Sequence, residues 1–131
     1  MPKTALILLA HGARDPDWAS PLLRVKAAIL ARNPGVHVEL AYLEIMQPRL
    51  RDCAESLISA GFGRIAILPM FIAQGGHIKK DIPRMLDELR QAYPQVIFDL
   101  SGPVGETELV VQAMATQALA LVGDETDRSD R

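Results

Sequence analysis

Two histidines lie just beyond short apolar runs that are typical of buried strands. His11 comes directly after the run Ala5–Ala10, and His77 lies eight residues beyond the run that ends at Pro69. Neutral imidazole is the commonest metal ligand in proteins, and imidazole also exchanges protons near neutral pH. If both strands end at the same edge of a sheet, these residues predict a site that binds a divalent cation.

The residues around the two histidines indicate how a ligand would be held. Two imidazoles do not complete a coordination shell, so a ligand, a second subunit or a carboxylate such as Glu44 must supply the rest. Gly75 and Gly76 have no side chains beside His77 and would allow a flat ligand to approach closely. Other candidates are apolar residues for a wall and basic residues for ligand carboxylates: Met46, Met70, Phe71, Ile72, Arg14, Lys79, Lys80 and Arg84.

Each of these features also has a simpler explanation, which the spacing alone leaves open. A histidine after a strand is more often a hydrogen-bonded loop residue than a metal ligand. Gly75–Gly76 can be a plain turn, Met70–Ile72 can be core, and Lys79–Lys80 can be the solvated start of a helix. His37 alternates onto the same face as Glu39, so we interpret it as a surface residue.

Apolar runs alternate with amphipathic segments along the chain. The pattern predicts strands at 5–10, 36–42, 64–69 and 96–100, and helices at 20–32, 49–60, 81–93 and 106–122. We expect Ser20 and Asp81 to cap the first and third helices, with Pro83 in the first turn of the third. The second strand alternates polar and apolar residues, which indicates a place nearer the sheet edge. Four strand–helix units predict an α/β fold with a four-stranded parallel sheet and helices on both faces.

The topology of such a sheet places both histidines at one rim. Parallel strands share their carboxyl edge, and ligands bind beyond that edge at the point where the strand order reverses. If the first and third strands are neighbours, as in flavodoxin-like order, His11 and His77 flank one crevice.

The composition fits one globular domain at residues 1–123, followed by a polar tail at 124–131 that we expect to be flexible. The 131 residues are 49% hydrophobic and 23% charged, and the net charge of −2 gives no sign of nucleic acid binding. No apolar run is long enough for a signal peptide or a membrane span. The single cysteine, Cys53, cannot form an internal disulfide; we expect it in the core of a cytoplasmic protein.

Three segments of the sequence resemble one known family. Leu9–Asp15, Tyr42–Glu44 and Pro69–Pro83 look like the small CbiX-type sirohydrochlorin cobaltochelatases, which are class II tetrapyrrole chelatases. The resemblance extends over about 6–122, and the block with Gly-x-His and Asp-Ile-Pro is its more specific part. One departure is Ala13, where many relatives carry Ser, and this puts a small hydroxyl contact in doubt.

The resemblance implies a flavodoxin-like, chelatase-like three-layer sandwich and a homodimer, each chain corresponding to half of a larger chelatase. It implies that His11 and His77 are the catalytic, metal-handling residues, and that Glu44 is an acidic residue of the metal site. The substrate-binding candidates are Arg14, Met46, Phe71, Gly75, Gly76, Lys79 and Lys80.

The implied reaction is that of a lyase that removes two pyrrole protons from sirohydrochlorin and inserts a divalent cation. The metal is then a substrate, and no cofactor is permanently bound. We expect Co²⁺ insertion in cobalamin biosynthesis. The alternatives are Fe²⁺ insertion for siroheme, use of Ni²⁺, and a tetrapyrrole or metal carrier without turnover.

Two other classes of related fold lack support in the sequence. A phosphohistidine phosphatase would need an arginine directly before His11, and Ala10 stands there. A flavodoxin-like FMN module would need a phosphate loop rich in Ser, Thr and Gly after the first strand, which His11–Pro16 does not provide.

Overall fold

A computed structural model describes residues 2–123 and contains one four-stranded parallel sheet. Its strands are β1 (Thr4–Ala10), β2 (His37–Tyr42), β3 (Arg64–Pro69) and β4 (Ile97–Leu100). The helices are α1 (Ser20–Arg32), α2 (Leu50–Ser59), α3 (Gly76–Ala92) and α4 (Glu108–Val122), with short 3-10 helices at Pro16–Ala19 and Val104–Glu106. The predicted α/β fold is confirmed, and the predicted flexible tail at 124–131 lies outside the described residues.

The strand order β2-β1-β3-β4 makes β1 and β3 neighbours. After β1 the chain adds β2 at one edge of β1 and then adds β3 and β4 at its opposite edge. The strand order therefore reverses at β1. Ala10 is level with Tyr42, and Leu9 is level with Pro69, so the carboxyl ends of three strands meet at one rim. The expected neighbouring positions of the first and third strands and the edge position of β2 are both confirmed.

One face of the sheet packs against α2 and α3. Ile82, Leu86 and Leu89 of α3 are spaced by four and three residues, so they lie on one helical stripe, and all three are fully buried. Cys53 of α2 is buried in the same cluster, and desolvation is the main cause that raises the pKa of its thiol to about 11. The interpretation of Cys53 as a core residue is therefore confirmed.

The other face carries a smaller cluster built on Leu8, Leu40 and Tyr42, and α1 packs against it through partly buried side chains such as Ile29 and Leu30. Burial also raises the pKa of the Tyr42 phenol. Within residues 2–123, no helix combines the length and the apolar character needed to cross a membrane.

The predicted start of the third helix is wrong. The helix α3 begins at Gly76 with Gly75 as its N-cap residue, so Asp81 and Pro83 lie inside it. Asp81 accepts a hydrogen bond from Arg84 (3.1 Å) instead of capping the helix. The longer helix extends the apolar stripe back to Ile78, which packs against the core, and this burial outweighs the good capping propensity of aspartate.

Two other helix starts also differ from prediction. Ser20 is the first residue of α1 and not its cap, because Pro16–Ala19 form a 3-10 turn before it. The side chain of Asp15 caps that turn by accepting from the backbone N–H of Asp17 (2.9 Å). α4 begins at Glu108, two residues later than expected, after a second 3-10 turn.

Candidate metal site

Backbone hydrogen bonds tie the end of β1 to the segments that follow both neighbouring strands. The N–H of Leu43 donates to the carbonyl of Ala10 (3.0 Å), and the N–H of Glu44 donates to the carbonyl of His11 (3.1 Å). On the other side, the N–H of Met70 donates to the carbonyl of Leu9 (2.7 Å). His11 is therefore held between the loops after β2 and β3.

The imidazole of His11 is paired with the carboxylate of Glu44. Nε2 of His11 lies 2.9 Å from Oε1 of Glu44, and the two side chains are 48% and 53% exposed. In the neutral tautomer of His11 that carries its proton on Nε2, this nitrogen donates to the carboxylate and Nδ1 keeps its lone pair. This arrangement leaves Nδ1 able to bind a metal ion or accept a proton, and solvent exposure leaves the pair accessible to large molecules.

A tight backbone contact places Glu44 beside His11. Gly12 has φ of +105°, and a Cβ atom at this position would lie 1.9 Å from the carbonyl oxygen of Glu44. Ile45, which follows Glu44 in the sequence, has a backbone φ of 70°, which is uncommon for a β-branched residue. Neither residue was predicted for this role. The His-Gly pair was the available signal for Gly12, whereas nothing in an isoleucine indicates a positive φ.

His77 lies in the first turn of α3, after the loop that follows β3, and its side chain is exposed. Apart from their chain neighbours and the backbone of α3 itself, no atom lies within 4 Å of the Cβ positions that Gly75 or Gly76 would have, so the space around both glycines is open. Lys79 and Lys80 are exposed in the next residues of the helix.

The basic residues of the rim differ in their ion pairing. Arg84 is paired with Asp81, which reduces its capacity to bind a ligand carboxylate. Arg14, Lys79 and Lys80 form no ion pair with another residue of 2–123, and all three are exposed. These three cations remain candidates for binding an anionic ligand.

The expected apolar wall is divided between the two faces of the sheet. Met46 and Met70 pack against the cluster on the α1 side, whereas Phe71 packs against the cluster under α2 and α3. Only Ile72 is largely exposed, at 72%. The reason is the alternation of side chains along an extended chain, which sends neighbouring residues to opposite faces.

The candidate ligands do not form a closed metal site. Among residues 2–123, no group of three or more His, Cys, Asp or Glu side chains is arranged to hold a metal ion. The structure brings His11 and Glu44 together but does not add His77 to form a three-ligand cluster.

A groove that the sequence analysis did not predict opens between α2 and α3. It has a volume of about 150 Å³ and is lined mainly by apolar residues, with charged residues at Arg49, Arg51 and Glu88. Leu43, which lines the groove, is adjacent in sequence to Glu44, so the groove borders the segment that carries the carboxylate.

Comparison with known proteins identifies the family. The CbiX family model matches residues 5–120. The chain belongs to the CbiX family. This CbiX-family chain is 34% identical over 82 residues to a sirohydrochlorin cobaltochelatase of Methanococcus maripaludis, covering 63% of the chain and 57% of that relative. It is 28% identical over 109 residues to a sirohydrochlorin cobaltochelatase of Sulfurisphaera tokodaii, covering 83% and 86%.

Solved structures share the fold of this CbiX-family chain. A cobalamin (vitamin B12) biosynthesis CbiX protein from Marinobacter aquaeolei VT8 aligns with a TM-score of 0.78 and 25% identity, covering 91% of this chain and 97% of that one. SirB from Bacillus subtilis with Fe³⁺ aligns with a TM-score of 0.76 and 24% identity, covering 93% of this chain but only 48% of SirB. The chain therefore spans about half the length of SirB.

Proposed function

We propose that this CbiX-family chain is a lyase that inserts a divalent cation, Co²⁺ in the first place, into sirohydrochlorin for cobalamin biosynthesis. The observation that carries the proposal is the match of residues 5–120 to the CbiX family. The two archaeal relatives named sirohydrochlorin cobaltochelatase support the substrate. The accessible His11–Glu44 pair supports metal handling at the rim.

The proposed chemistry needs a base, a metal ligand and a contact for substrate carboxylates. Insertion replaces two pyrrole protons with one divalent cation, so the two protons must leave as the metal enters. In the proposal, Nδ1 of His11 and the imidazole of His77 bind the metal and accept protons, because neutral imidazole can do either. Arg14, Lys79 and Lys80 bind the carboxylates of the macrocycle, and Gly75 lets its flat face approach.

The remaining residues of the proposed substrate site are Gly76, Met46 and Phe71. Gly76 leaves open space beside His77, and the two partly buried apolar residues support the loops at the rim from opposite faces of the sheet. Both metal and tetrapyrrole are substrates that come and go, so the proposal includes no permanently bound cofactor.

We also propose that the chain forms a homodimer and that it acts in the cytoplasm. The family resemblance and the match of this chain to about half of SirB support a pair of chains in place of one longer chain. The free thiol of Cys53 supports a reducing compartment.

An anaerobic absorbance assay tests the proposed reaction. Purified protein is mixed with sirohydrochlorin and, in separate reactions, Co²⁺, Fe²⁺ or Ni²⁺, and the rate is compared with that of the same mixture without protein. We expect multiple turnovers, with the largest acceleration for Co²⁺. The largest acceleration with Fe²⁺ would assign the chain to siroheme synthesis. Stoichiometric binding without turnover would establish a carrier, and absence of acceleration with every metal would refute the enzyme.

Two variants of Glu44 separate its possible roles. If the carboxylate acts by orienting His11, Glu44→Gln retains an oxygen that can accept from Nε2 and loses little activity. Glu44→Ala removes the acceptor, and we expect kcat/KM to fall about 10- to 100-fold, as for other groups that orient metal-binding histidines. An equal loss in both variants would show instead that Glu44 acts through its charge, as a direct metal ligand or a base. The absorbance assay with Co²⁺ measures both.

A further inference from the structure

The helix α4 is apolar on nearly every side. Eleven of its fifteen residues are Leu, Val, Met or Ala. Three of its four polar residues, Glu108, Gln112 and Thr116, are spaced four apart and form one stripe, in which Gln112 donates to Glu108 (2.7 Å). A helix that is hydrophobic nearly all round is a helix that is buried in the working protein.

This apolar helix is nevertheless exposed in the single chain. None of its residues is buried. Leu109 and Leu121 are 87% and 84% exposed, and the other large exposed hydrophobic residues of the helix are Val111, Met114, Leu119 and Val122. The surface of α4 therefore lacks the cover that its composition requires.

The sheet also has a strip of partly exposed apolar side chains, which lies beside the exposed Arg64–Asp99 ion pair on the same face (2.7 Å). On the α1 side, α1 lies over β2, and the side chains of Leu6, Ala66 and Leu68 are only partly buried. Ile97 is level with Arg64 in the register of β3 and β4, so it points to the same face, where it is 47% exposed. We call these four residues, Leu6, Ala66, Leu68 and Ile97, the sheet patch. Parallel sheets are normally covered by helices on both faces, and among residues 2–123 no helix covers the sheet patch.

We propose that α4 of each chain packs on the sheet patch of a second copy, so that two copies exchange their last helices reciprocally. This inference rests on the proposed homodimer and names its interface. A second copy fits because every chain carries both surfaces, and one two-fold axis brings each α4 onto the other chain's sheet patch. Fifteen helical residues span about 22 Å, which matches the length of strands of about six residues at ~3.3 Å each.

The exchange also connects the interface with the candidate metal site. The 3-10 turn that precedes α4 is bonded to the loop after β3, since the N–H of Gly105 donates to the carbonyl of Phe71 (2.9 Å). Gly105 packs so closely that a Cβ atom there would lie 2.3 Å from Cα of Ile72. This loop leads to His77, so in the dimer the exchanged helix anchors the segment that carries the second histidine.

Sedimentation equilibrium tests the interface without reference to metal insertion. We expect the wild type to have twice the chain mass of 14.3 kDa. Met114→Lys/Leu121→Lys on the apolar side of α4, and separately Ile97→Lys in the sheet patch, should give the mass of one chain. The matched control is Gln112→Lys/Thr116→Lys, which adds the same charge to the polar stripe and should leave the dimer intact. Circular dichroism establishes that each variant is folded.

A crosslinking experiment distinguishes exchange from α4 folding back on its own sheet. One chain carries Ile97→Cys and another carries Leu121→Cys; they are mixed, exchanged and oxidised. Reciprocal exchange predicts a covalent heterodimer on a denaturing gel. If α4 folds back on its own sheet, the mixture of single variants gives no covalent heterodimer. A chain that carries both Ile97→Cys and Leu121→Cys then forms a disulfide within itself.

A wild type of single-chain mass overturns the homodimer and the exchange together. A dimer unaffected by the α4 and Ile97 variants overturns the exchange alone, and in neither case is the proposed chemistry contradicted.

Discussion

We expect His11→Ala and His77→Ala each to lower kcat/KM for Co²⁺ insertion by at least about 100-fold, the lower end of the contribution of a general acid–base group. His11 is the more sharply defined of the two, because Glu44 holds Nε2 and leaves Nδ1 free for the metal or a proton. Both side chains are exposed, so their removal leaves little unfilled space in the fold. The rates are measured in the anaerobic absorbance assay, and the thermal midpoint of each variant should stay near that of the wild type.

His37→Ala is the matched control for this pair of variants. His37 is also exposed and also has a carboxylate partner, with Nε2 3.0 Å from Oε1 of Glu39, but it lies at the start of β2, opposite the rim. We expect wild-type activity. A His11 or His77 variant that inserts Co²⁺ at the wild-type rate would remove that histidine from the proposed mechanism, and equal losses in all three would indicate a general effect of losing imidazole.

We expect Gly12→Ala to have the second large effect, on both stability and activity. A non-glycine residue at this positive φ costs about 1–3 kcal/mol. In addition, the new Cβ would lie 1.9 Å from the carbonyl oxygen of Glu44, and a backbone atom cannot be displaced without moving the turn. We expect a lower free energy of unfolding in urea and, because Glu44 moves away from His11, a loss of insertion activity at least as large as that of Glu44→Ala.

Gly61→Ala separates the cost of the backbone conformation from that of the contact. Gly61 has a similar φ of +98°, but nothing lies within 4 Å of the position of its Cβ. We expect Gly61→Ala to destabilise the protein less than Gly12→Ala and to leave the rate of insertion unchanged. Equal destabilisation by the two substitutions would show that the contact between Gly12 and Glu44 carries no energetic weight.

The strands and the rim were predictable because their signals are local. A run such as Ala5–Ala10 is short and apolar at every position, which is typical of a strand buried on both faces, and the structure buries all but one side chain of that run. Parallel strands then share a carboxyl edge whatever their order, so the placement of His11 at the rim followed from chain direction alone. The start of α3 was not predictable in the same way, because a capping signal at Asp81 competed with a longer apolar stripe.

The sequence by itself determined the α/β class, the four strands and the presence of two histidines beyond strand ends, because each depends on composition and periodicity within a few residues. Only the tertiary structure decided that Glu44 bonds to His11 across 33 residues, that Gly12 must admit the carbonyl of Glu44, and that Met70 and Phe71 face opposite ways. Only it showed that α4 leaves the sheet patch uncovered. Those relations depend on which strands become neighbours and how closely the loops between them approach, and residues distant in the chain contain no local record of either.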